Sequence, residues 1–260
     1  MDAQYGPHRF SGGGEETDAL RGQEFRVADL RGARFTDCDL SGVKIVDGCL
    51  VDVDISGYVE RLVVNGVDVT GFVEAELDRR HPERVRLRGV QDADGFRAMW
   101  ETVERLWSDA VARAERLPEA ARHERVAGEW SFTETLRHLV FITDAWLSRP
   151  VLDEERPYHQ FGLVPSWYPD GAGLGIDLAA HPSYAEVLQV RADRMALVRR
   201  TVDALTDSDL GRLCDRTPAP GYPEGPRPVA ECLAVLMDEE CEHYRFAVRD
   251  LATLESDVHR

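Results

Sequence analysis

Lysine is almost missing from this chain: Lys44 is the only one in 260 residues. The positive charge is therefore nearly all arginine, the bias of a GC-rich bacterial coding sequence and no guide to function. Positive charge is also in deficit, with 31 Lys and Arg against 48 Asp and Glu and a formal net charge of −17. A phosphate-backbone binder needs a basic patch to displace counterions; none is visible here, so nucleic acid is excluded as the expected partner. No apolar run is long enough to span a bilayer, and the N-terminus is polar, acidic and glycine-rich where a signal peptide would be basic and then apolar. A cytoplasmic location without membrane contact is expected. The five cysteines, Cys38, Cys49, Cys214, Cys232 and Cys241, form no CxxC pair, which argues for free thiols in a reducing compartment and against a thiolate zinc site. A glycine-rich phosphate loop and a Gly-x-Ser-x-Gly elbow are missing too.

What the chain has is apolar patterning of two kinds. From Phe25, large apolar residues recur at every fifth position: Phe25, Leu30, Phe35, Leu40, Ile45, Leu50 and Ile55, with small residues two places earlier in most units. Five fits neither a strand nor a helix. One large and one small inward residue per pentad is the pattern of a square, right-handed parallel β-solenoid, and the run ADLRGARFTDCDLSG resembles a pentapeptide-repeat protein. The register slips after Ile55 and resumes at Leu62, Val67 and Phe72. So few coils bury little, which predicts that the solenoid docks on the rest of the chain.

Helical spacing takes over further on. Residues 74–92 are a charged connector with one short helix stopped by Pro82. Phe96, Met99, Trp100, Val103, Leu106, Trp107 and Val111 then mark the first helix of a bundle. A second helix opens at Ser131, where Ser131 and Glu134 have capping-box spacing. A third is expected from Pro182 or Ser183 to Leu205, and a fourth from Pro228 to Leu254. The fold class is thus mostly α: an up-and-down four-helix bundle preceded by a short β-solenoid. The predicted domains are a flexible tail over 1–22, the repeat over 23–73, the connector, and the bundle over 93–257. The proline- and aromatic-rich linker 149–181 inside the bundle is long enough to be a functional lid.

Two of these helices carry metal-competent side chains among apolar residues. His138 lies in the second. Glu239 and His243 lie in the fourth, four residues and so one turn apart on one face. Two imidazoles and a carboxylate converging in a bundle make a three-ligand site with open positions, the form of a catalytic metal site. Glu240, three residues before His243, is the rival carboxylate. Glu242 and Asp250 are expected to pair with Arg245 and Arg249. His159 and His181 flank the lid and could reach the metal, Tyr158, Phe161, Trp167 and Tyr168 could cover a substrate cavity, and Arg191 and Arg194 could hold an anionic cosubstrate. Cys241 is expected to be a buried, inert thiol.

The segments GEWSFTETLRHL (128–139) and EECEHYRFAVRDL (239–251) resemble the DinB-like superfamily of four-helix-bundle proteins. The resemblance implies a metal-binding bundle whose ligands are one histidine from the second helix and an H-x-x-x-H pair from the last. His138 and His243 match; Glu239 stands where the first histidine of the pair would be. Branches of the superfamily include thiol-dependent S-transferases and mycothiol-dependent maleylpyruvate isomerases. The resemblance implies a divalent ion (zinc, iron, nickel or manganese), a low-molecular-weight thiol cosubstrate, and transfer, addition or isomerisation on a small electrophile. The expected partner is a small-molecule substrate, with a homodimer left open. The alternative is a non-catalytic scaffold that presents the repeat surface to a partner.

Overall fold

The computed structural model describes residues 20–36, 38–165, 168, 171–220 and 222–258. The expected tail therefore lies almost wholly outside the described residues, as does Trp167. The chain divides into two units, Met1–Thr70 and Gly71–Arg260.

In the first unit the backbone turns at every second pentad, once per ten residues. Gln23, Ala33 and Val43 donate their N–H groups to the carbonyls of Leu20, Leu30 and Leu40, and Gly22, Gly32 and Gly42 follow one another at left-handed φ. The parallel ladder expected of a solenoid does not form among the described residues. Phe25 is 60% exposed and Leu40 48%. The reason is arithmetic: pentads forming the four sides of a square coil need about twenty residues per coil, and the unbroken register from Phe25 to Ile55 completes fewer than two. Each inward side chain lacks a coil on at least one side. The unit ends in a hairpin, β1 (Val63–Val64) against β2 (Val67–Asp68), closed by Asn65 and Gly66, both at positive φ as a two-residue hairpin turn requires.

The second unit is helical. The connector holds two helices where one was expected, α1 (Thr70–Arg80, beginning at the boundary) and α2 (Pro82–Arg88). Pro82 ends the first helix and starts the next, because at the first helical position its missing N–H costs nothing. The bundle helices are α3 (Ala93–Glu115), α4 (Phe132–Thr143), α5 (Tyr184–Ala204) and, after the short α6 (Asp207–Leu210), α7 (Val229–Val258). Asp92 caps α3 by accepting from the Gly95 N–H, and Ser131 and Ser183 form reciprocal capping boxes with Glu134 and Glu186. Each cap contributes about 1 kcal/mol. A hairpin not foreseen, β3 (Leu213–Cys214) with β4 (Arg227–Pro228), leads into α7.

On α3 the predicted Phe96, Met99, Trp100, Val103 and Trp107 are buried while Leu106 and Val111 are only partly so, and α4 is buried nearly all round, Glu134 being its most accessible side. The packing order departs from an arrangement in which chain neighbours are spatial neighbours. Both α3 and α4 pack against α5 and α7, so the first two bundle helices stand diagonally. Segment 116–131, with its 3-10 turns Glu119–His123 and Val126–Gly128, makes that diagonal crossing. It also places α4 beside α7, the two helices that carry the candidate ligands. Among the described residues, no helix is long and apolar enough to cross a membrane.

Candidate metal centre

The capping box at Ser131 fixes where α4 begins, and with it which residue faces α7 two turns later. That residue is His138, 2% exposed. Glu239 on α7 is equally buried and His243, one turn on, is partly accessible. One ligand atom from each of the three lies within 4.8 Å of the others. His243 Nε2 is 3.1 Å from Glu239 Oε2, and His138 Nε2 is 3.5 Å from the same oxygen. A tetrahedral ion with bonds of about 2.0–2.1 Å sets its ligand atoms about 3.4 Å apart. The two edges to Oε2 bracket that value, while the three ligand atoms as a set lie within 4.8 Å of one another.

The electrostatics fit as well. His138 Nδ1 is 2.8 Å from the carbonyl oxygen of Leu163, a contact that requires the ring to donate its Nδ1–H. Burial pushes His138 below its ordinary value, against the opposing pull of Glu239. With Nδ1 committed to Leu163, Nε2 is the nitrogen that faces Glu239, the orientation a metal-binding histidine receives from its outer partner. Burial by itself would raise the Glu239 carboxyl, but its contacts with His138 and His243 outweigh it and hold the group below the usual carboxylate range. The result is an ionised carboxylate facing two imidazoles. A cation between them would take the place of protons held between the ring nitrogens and Oε2.

Loop 149–181 is tied down on the His138 side. Arg137 donates from Nε to the carbonyl of Phe161 at 2.9 Å and from Nη1 to that of Ala180 at 3.1 Å, while Leu163 returns its N–H to the Arg137 carbonyl at 3.2 Å. Tyr158 donates to the carbonyl of Pro218 and stacks on Phe141, which also lies against Tyr168. These loop aromatics anchor the loop to the core.

Other expected roles are redistributed. Glu240 is fully buried and takes Arg191 Nη2 at 2.5 Å. Arg194 Nε meets the buried Asp144 at 2.5 Å. Both arginines pair with internal carboxylates, and Arg191 keeps Nε and Nη1 without a hydrogen-bond partner. Asp144 opens a π-helical turn after α4 and also accepts the His159 N–H. His159 Nδ1 accepts from the Phe161 N–H, and His181 is exposed; neither belongs to the three-residue group. Cys241 is buried, with its thiol pushed up by burial. Glu242 pairs with Arg245 and Asp250 with Arg249, as expected. The residue that sequence reasoning passed over is Trp130, whose ring centroid lies 4.6 Å from that of His138 and 5.9 Å from that of His243.

Fold and site together define a helix bundle with two histidines and one carboxylate in its core that could hold a metal ion. Residues 102–247 match the model of the DinB superfamily, more than half of the 260-residue chain, and the chain belongs to that superfamily. A crystal structure of a protein from Streptococcus pneumoniae is similar at 17% identity and a TM-score of 0.46, over 68% of this chain and 98% of that one. A search of curated proteins returns no match.

Proposed function

We propose that His138, Glu239 and His243 hold one divalent metal ion and that the site works on a small-molecule substrate. The observation that carries this reading is the pair of Nε2–Oε2 edges at 3.1 and 3.5 Å about an ionised carboxylate, with His138 oriented by the Leu163 carbonyl. An ion there would lower the pKa of a thiol from about 8.5, or of water from about 15.7, at its open positions. The chain supplies the ligands, and loop 149–181, clamped through Arg137, keeps water from the His138 side. Membership of the superfamily supports the finer reading: a mycothiol-type thiol, added to or transferred onto an electrophile, or used in an isomerisation. The exposed Phe25, Phe35 and Ile45 support a second reading, an interaction module that uses the repeat surface.

Metal analysis by inductively coupled plasma mass spectrometry separates the two. About one equivalent in the wild type, lost in both His138→Ala and His243→Ala, supports the metal centre and opens a screen of thiols against electrophiles. Protein that takes up no zinc, iron, nickel or manganese on reconstitution overturns the enzymatic reading in favour of the module.

A further inference from the structure

Trp130 has two faces of interest. One lies against both imidazoles of the centre. The same side chain borders a small cleft of about 10 Å³, room for one water, whose lining includes the acidic Glu124 and Asp250 beside Phe132, Thr135, Ala247 and Leu251. Thr135 and Ala247 are one turn from His138 and His243 along their helices.

The backbone that carries this indole is built unlike the helices beside it. Arg125 is fixed to Glu134, with its Nε 2.9 Å from Oε2, and Ser131 is fixed as the cap of α4. Between these anchors Ala127 and Gly128 are both left-handed, at φ 51 and φ 77. For alanine that conformation is strained and has to be held by its surroundings. Glu129 reaches α7 through an ion pair, Oε2 to Arg249 Nη2 at 2.6 Å, with both side chains more than 40% exposed. A solvated pair of this kind contributes little and parts readily.

We infer that Trp130 is a movable partition between solvent and the buried His138, so that small molecules reach this imidazole when the indole swings aside. The Ala127–Gly128 pair is the hinge and the Glu129–Arg249 pair the latch. Trp130 is then a positioning residue that governs which molecules meet the ligand atoms. The inference rests on the metal reading for its purpose, but its test needs no metal.

The test is the rate at which diethyl pyrocarbonate, a small neutral reagent, acylates each histidine of metal-free protein, followed by peptide mass spectrometry. The exposed His123 and His181 are internal controls. An open state populated at about 10% or less in the wild type predicts that Trp130→Ala accelerates modification of His138 about tenfold or more. Arg249→Ala, a surface change that leaves the indole in place, gives a smaller acceleration. The controls stay unchanged. Trp130 immediately precedes the cap of α4, so its plain structural role is a hydrophobic staple with Thr135. A staple alone lowers the melting temperature of Trp130→Ala and leaves histidine reactivity in both variants at the wild-type rate; that result overturns the inference. Loss of metal binding in the wild type would instead defeat the metal reading and leave these rates to decide the partition.

Discussion

Glu239 and Glu240 are consecutive on α7 and both are buried, yet they meet different company. Glu240 takes a guanidinium from Arg191, and Asp144 nearby takes one from Arg194. Glu239 takes two imidazoles. In the first region the chain supplies its own cation to each carboxylate and the charge is balanced within the fold. In the second, the groups gathered around Glu239 are imidazoles, nitrogen donors of a kind that suits a metal ion. Burial alone does not make a functional site: three carboxylates are equally deep, and the partners decide which is structural.

The comparison breaks first at Arg191. Arg191→Met leaves Glu240 buried without its guanidinium and should cost about 3–5 kcal/mol in urea denaturation, while Arg191→Met with Glu240→Leu should recover most of it. If the single change costs under about 1 kcal/mol, Glu240 is not held as an ion pair.

Asp144 comes next, through pH. Burial raises its pKa from 3.8 to about 6 despite Arg194, so the folded state holds the proton more tightly than the unfolded chain. The stability this contributes is full below pH 3.8 and is lost as pH rises toward 6, by about 3 kcal/mol for a shift of this size. Asp144→Asn should flatten that part of the stability profile; an unchanged slope would show that Asp144 ionises normally. Glu239 has the opposite sign, because its lowered pKa gives stability above its ordinary value of 4.5 that is lost as pH falls.

Glu239→Gln sharpens the contrast with the smallest effect on folding. Both imidazoles meet the one oxygen Oε2, so the amide can serve one of them there and not both, and the metal-free protein should lose about one hydrogen bond, about 1 kcal/mol. Zinc affinity, measured by competition titration, should fall more than about 100-fold, since even outer partners of a metal ligand cost 10–100-fold. Unchanged affinity would remove Glu239 from the ligand set.

The bundle was legible in the sequence because its signals are local. Ser131 with Glu134 marks a helix start within four residues, and Phe96 to Val111 marks a buried stripe within five turns. His138, Glu239 and His243 were legible as residues of the right kind at helical spacing, helped by a family resemblance. Three things were not. The diagonal order of α3 and α4 depends on how segment 116–131 crosses the bundle end, which no periodicity encodes. The Leu163 carbonyl orients His138 from 25 residues away through a backbone atom, and a backbone acceptor has no sequence signature. The arginines looked available because nothing near them in sequence revealed Asp144 and Glu240 as their partners, 50 and 49 residues distant. The repeat region failed the other way: its period is plain, but a period specifies a coil only when enough coils stack to bury it.

The most direct test of the centre is X-ray absorption at the zinc edge of zinc-loaded protein. The account predicts first-shell nitrogen and oxygen at about 2.0–2.1 Å, with multiple scattering from two imidazoles and no sulfur. A shell with a sulfur ligand at about 2.3 Å, or without paired imidazole scattering, would place the metal elsewhere and contradict the assignment of His138, Glu239 and His243.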